Sequence, residues 1–154
     1  MFPNSNRLKL AGIIGLLLSL SFGTSAQAET CYPLDVIGGD GTAVTKTVSP
    51  FSTLVTRNNW NTDFAVPSNR AFTSYEATIV TESSANYDVE LNLKYSDNSS
   101  SAAYKKFPAE IVFGEPLKVI GSPRAQRDPY QVNVFVGGLN AIGKTYTVSV
   151  AGCI

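Results

Sequence analysis

From Tyr87 to Ser96 the sequence alternates without a break: Tyr87, Val89, Leu91, Leu93 and Tyr95 are apolar, while Asp88, Glu90, Asn92, Lys94 and Ser96 are polar. A period of two places the first set on one face of a β-strand and the second on the other, whereas a helix would scatter them around its circumference. The stretch therefore predicts a strand with one face in a core and one in water. Asp97-Asn98-Ser99-Ser100-Ser101 then supplies turn chemistry, and Ala102 to Phe107 is expected to return as the hairpin partner.

The same reading extends along the chain. Thr73–Thr81, Tyr130–Val136 and Lys144–Val150 are rich in β-branched and aromatic residues, and the last two flank a glycine-rich loop at Gly137–Gly143. Gly38-Gly39-Asp40-Gly41 is turn-like and separates expected strands at Leu34–Ile37 and Thr42–Val48. Gly114–Pro129 reads as a long irregular crossing with one strand-like patch at Leu117–Ile120. No segment beyond residue 28 carries a capped 3.6-residue apolar period. Short strands with frequent turns predict an all-β fold, a single antiparallel β-sandwich of jelly-roll-like form.

Residues 1–28 read as a secretory leader. Arg7 and Lys9 form its basic start, Leu10 to Phe22 its apolar run, and Ala26 and Ala28 its small-residue cleavage pattern. The run falls short of the ~20 apolar residues that span a bilayer, so residues 29–154 are expected as one exported domain without a membrane span, of bacterial type. Export makes the two cysteines readable: Cys31 and Cys153, at opposite ends of that domain, are expected to form a disulfide. Such a bond ties the first strand to the last and stabilises the fold by about 4–5 kcal/mol in the chain-entropy account.

Composition excludes several functions. With no histidine in 154 residues there is no His-based triad, no His-ligated zinc and no imidazole switch. Twelve basic residues balance twelve acidic ones, and two of the basic ones leave with the leader; a slightly acidic domain does not suit non-specific nucleic-acid binding. No G-x-S-x-G elbow is present. Catalysis is not expected; the one enzymatic alternative is a carboxylate-dependent glycan hydrolase drawing on Asp63, Glu110, Glu115 or Asp128. No cofactor is expected, although Asp40 and the Asp97-Asn98 turn offer oxygen ligands of the kind calcium takes.

Binding residues are read from two places. Trp60, the single tryptophan, sits among Asn59, Asn61 and Asp63, an indole beside groups able to bond sugar hydroxyls. Its alternative role is to plug one end of the sandwich. Arg124 and Arg127 form a local basic pair able to grip an anion. The expected function is an exported, non-catalytic binding module for a glycan or cell-surface component, with a protein partner or structural role as the alternative. Intact-mass measurement of the exported protein should find it beginning at Glu29; a chain beginning before Gln27 would overturn the assigned cut.

Overall fold

The computed structural model describes residues 29–54 and 57–154; the leader read at residues 1–28 lies outside them. Nine strands follow in chain order: β1 (Cys31–Pro33), β2 (Ala43–Thr47), β3 (Asn61–Ala65), β4 (Ser74–Thr81), β5 (Ala85–Lys94), β6 (Ser100–Ile111), β7 (Leu117–Gly121), β8 (Gln131–Gly137) and β9 (Thr145–Cys153). A 3₁₀ turn at Leu139–Ala141 interrupts the loop before β9. Among the described residues no helix is long and apolar enough to cross a membrane.

The alternating stretch is β5, and its five apolar residues are all buried. It runs inside an antiparallel sheet of order β3-β8-β5-β6, and its inner face meets that of a second sheet, β1-β9-β4-β7, in which β2 also pairs with β9. Leaving β1 aside, the orders β2-β9-β4-β7 and β3-β8-β5-β6 are those of an eight-stranded jelly roll. Between the sheets, Phe64, Tyr75, Ile79, Tyr87, Leu91, Val134, Tyr146 and Val148 are fully buried. Tyr87 meets Tyr146 edge-on at 6.3 Å, and its hydroxyl shares a 2.6 Å hydrogen bond with Thr81.

Cys31 and Cys153 are bonded and stand directly opposite one another in the β1–β9 pairing. Their Cα atoms are 4.0 Å apart, inside the usual lower limit for disulfides, because directly opposed antiparallel positions approach unusually closely. Thr30 and Ile154 extend the clasp with reciprocal backbone hydrogen bonds of 3.0 Å.

Three local expectations are corrected. The Leu34–Ile37 stretch is not a strand of its own: Leu34 still bonds β9, but Val36 crosses to make an isolated bridge with Phe64 on β3. Polar Asn61–Ala65, not among the strands expected from sequence, is an edge strand of the four-stranded sheet, paired with β8. Within Gly114–Pro129 the strand-like patch read at Leu117–Ile120 is the edge strand β7, one residue longer and held by five register pairs with β4. The partner of β5 is longer than read, running to Ile111 through two irregularities.

Edges are defended by charge and shape. Outer strand β6 carries Lys105, Lys106 and Pro108, and its irregular register gives an approaching strand no regular template. On β2 the Lys46 amine turns inward and donates to the Asn61 carbonyl at 2.8 Å and to Thr62 Oγ1 at 2.9 Å, joining the two sheets at their open side. Burial lowers the Lys46 pKa while nearby Asp63 opposes the shift. Replacing Cys31 by Ser should lower the free energy of unfolding by about 2–4 kcal/mol and leave the far-ultraviolet dichroism spectrum unchanged. Urea melts of wild type and variant, with and without reductant, test this; a reductant-insensitive wild type would contradict it.

Candidate functional site

The outer face of the β3-β8-β5-β6 sheet is built by the parity of its strands. Where Val132, Val134 and Val136 of β8 point inward, Gln131, Asn133 and Phe135 must point outward. On β5 the same rule sends Asp88, Glu90, Asn92 and Lys94 to this face, and on β3 it sends Asn61 and Asp63.

β6 breaks the rule. Tyr87 pairs with Ala109 and Val89 with Lys106, so Phe107 and Pro108 together face the single residue Asp88. A bulge of this kind re-aims side chains. Phe107, 45% exposed, turns over the sheet and its ring meets Phe135 at 5.7 Å. Phe135 in turn meets Trp60 at 5.7 Å, edge to face, and Trp60 meets Phe51 at 5.6 Å. Four rings thus form a continuous row, ending at Phe51, which is 50% exposed.

Trp60 is the buried member of that row, only 7% exposed. One indole face lies on Gly137, where a Cβ would come within 2.4 Å of the ring, so this position tolerates glycine alone. Its Nε1 donates to the Ser49 carbonyl at 2.8 Å. Asn59 beside it is a structural clasp: its amide donates to the Thr47 carbonyl and its Oδ1 accepts from the Ser49 amide. Asn61 lies exposed at the start of β3 with its carbonyl on Lys46. The indole therefore supports the exposed rings instead of presenting its own face, and Phe51 and Phe107 carry the accessible aromatic surface.

Beyond the rings the face is polar. Asp63 accepts from Asn133 Nδ2 at 2.8 Å and from Lys94 Nζ at 3.1 Å. Partial burial would raise the Asp63 pKa, but hydrogen bonds from Asn133, Lys94 and Gln131 outweigh it and the net shift is downward. Lys105 pairs with Glu90 at 3.4 Å and lies 4.6 Å from the Phe107 ring centroid. At the other end of the row, a cavity of about 260 Å³ opens between Phe51 and Trp60 on one side and Asn86, Asp88 and Asn140 on the other.

The arginine pair is placed elsewhere, and both residues have partners within the chain. Arg124 lies over the Tyr95 ring at 4.3 Å and donates to Ser101 Oγ, Ser99 Oγ and the Ser100 carbonyl. Arg127 pairs with Asp97. Ser99 hydrogen bonds and the Arg127 charge hold the Asp97 carboxyl at about 2. Both guanidinium groups hold the β5–β6 turn to the β7–β8 loop, and the three hydrogen bonds of Arg124 leave little of it for an external anion. Asp97, one of the two residues read for calcium, is committed to the same contacts, and Asp40 stands on an exposed turn. Of the carboxylates read for hydrolysis, Asp63 is neutralised by Lys94, Glu110 is the penultimate residue of β6 opposite Asn86, and Glu115 and Asp128 lie in loops at opposite ends of the sandwich.

Phe51, Phe107, Phe135 and Asp88 were not among the residues singled out from sequence. A signal existed for Phe135, which shares its parity with Gln131 and Asn133. None existed for Phe107, whose outward turn depends on the bulge.

No family model matches the sequence, and no curated protein matches it. Matching solved structures include a variant of a family 29 carbohydrate-binding module, with 9% identity and a TM-score of 0.44 over 82% of this chain and 91% of that one. The C-terminal family 22 carbohydrate-binding module of a Clostridium thermocellum protein matches with 13% identity and a TM-score of 0.37, over 86% and 87%. A family 22 xylan-binding domain from Paenibacillus barcinonensis matches with 6% identity and a TM-score of 0.35, over 79% and 84%. These superpositions are loose, and the fold described above stands on strand pairing alone.

The Asp63 network makes stability pH-dependent with a definite sign. A carboxyl whose folded pKa is lowered contributes stability that is present above the unfolded value near 3.9 and is lost as pH falls through the folded value. Asp63→Asn should therefore unfold at lower urea than wild type at neutral pH, with the gap closing as the pH falls below about 4. A gap of constant size would show that the charged form is not what the network holds.

Proposed function

We propose that this chain is an exported, non-catalytic β-sandwich module that binds a glycan on the outer face of its four-stranded sheet. The observation that carries the reading is the row Phe107–Phe135–Trp60–Phe51 lying beside the hydrogen-bonding groups of Asn61, Asp63, Asn92, Lys94 and Asn133 on one solvent-facing surface. Pyranose rings have apolar C–H faces and hydroxyl rims, and such a surface offers ring faces to the first and fixed donors and acceptors to the second. Asp63, Lys94 and Asn133 are pre-positioned by their mutual bonds, so little ordering of these three is left for the moment of binding. Export is supported by the leader pattern and by a disulfide closing the domain. The scatter of the carboxylates supports a binding role over hydrolysis.

A protein partner is the second reading. It is favoured by the exposed apolar residues Val112, Phe113, Leu139 and Ile142, which stand in loops at the same end of the sandwich as Phe51.

Titration calorimetry against a panel of soluble oligosaccharides tests the glycan reading. Wild type should bind at least one class, and Phe107→Ala should weaken that binding about tenfold, the loss expected of a contact worth just over 1 kcal/mol. Its thermal midpoint should hardly move, because the ring is nearly half exposed. Affinity unchanged by Phe107→Ala and Phe51→Ala would remove the aromatic row from the site.

A further inference from the structure

Asp63 and Glu90 on the outer face are each matched by a lysine, Lys94 and Lys105. Asp88 is different. It is half-buried at the floor of the cavity beside Trp60 and Phe51, and among the described residues its carboxylate has no ion pair and no side-chain hydrogen bond. It packs against Gly138, where a Cβ would come within 2.9 Å of its Oδ2, so the absence of a side chain there makes room for the carboxylate.

Its neighbour on the same strand face shows what such a position holds. The Lys105 ammonium lies between the Glu90 carboxylate at 3.4 Å and the Phe107 ring at 4.6 Å. A carboxylate and an aromatic ring together suit an ammonium group, by charge and by the ring quadrupole. Two residues along β5, Asp88 repeats that combination with Trp60 and Phe51, but without a cation from the chain itself. The Asn86 and Asn140 amides add acceptors and donors at the rim, of the kind a sugar's hydroxyls need.

We propose that this cavity takes a cationic sugar, a 2-amino-2-deoxy unit of the bound glycan, with its ammonium on Asp88 and its ring against the exposed face of Phe51. The inference rests on the glycan reading above and adds the chemical class of the ligand. It also sets a selectivity: a uronic acid here would bring a second carboxylate against Asp88 in a partly desolvated site, and like charges so placed repel.

The test is calorimetry with oligomers of glucosamine, N-acetylglucosamine, glucose and glucuronic acid of equal length, on wild type and Asp88→Asn. Glucosamine oligomers should bind at least about tenfold more tightly than glucose oligomers, as a charge-assisted hydrogen bond allows. That preference should shrink in high salt and collapse in Asp88→Asn, with glucuronate oligomers the weakest ligands of wild type. The thermal midpoint of Asp88→Asn, measured alongside, should match wild type. Equal affinity for glucosamine and glucose oligomers, or a preference that survives Asp88→Asn, would overturn the amino-sugar assignment while leaving glycan binding standing. Butylammonium binding as tightly as glucosamine would overturn the role of the sugar ring, and binding of none of the four oligomers would overturn both readings.

Discussion

Burial of Tyr87, Val89, Leu91 and Leu93 between the sheets locks the register of β5, and everything on the opposite face follows from that lock. β5 lies inside its sheet with β8 on one side and β6 on the other, so its position sets theirs. A slip of one residue would turn Asp88, Glu90, Asn92 and Lys94 into the core and four large apolar groups into water. Fully burying one such side chain is worth about 1.5–3 kcal/mol, so the slipped arrangement has no competing stability. The polar surface is thus held in place by hydrophobic packing behind it.

The bulge on β6 is the one place where this rule is set aside, and the site depends on it. With regular pairing, Phe107 and Pro108 would face different residues of β5; crowding both opposite Asp88 brings an exposed ring into the aromatic row. The bulge also spoils the edge for strand addition, so one irregularity both aims Phe107 and guards the sheet. Trp60 illustrates a related economy. Its indole fills the space left by the missing side chain of Gly137 and supports Phe51 and Phe135 from behind.

Sequence reading recovered what periodicity and covalent logic control. The ten-residue alternation is β5, and the paired cysteines join the first strand to the last. It lost β3 because Asn61-Thr62-Asp63-Phe64-Ala65 has one large apolar residue, and its inward Thr62 looks like any turn threonine. It found β7 as a short patch at Leu117–Ile120 amid prolines and glycines, but not its pairing with β4, which only the tertiary fold supplies. Of the candidate site residues, Trp60, Asn61 and Asp63 do share the sheet face with the aromatic row, although the indole is a support and not a platform. Arg124 and Arg127 were legible as a cluster; that serines, Tyr95 and Asp97 engage both guanidinium groups is a tertiary fact with no local signature.

The clasp between Cys31 and Cys153 has a mechanical side. Tension applied through the backbone on either side of these residues passes from one sulfur to the other and bypasses the strands between them. The sheets, and the ring-lined face with them, are left unloaded.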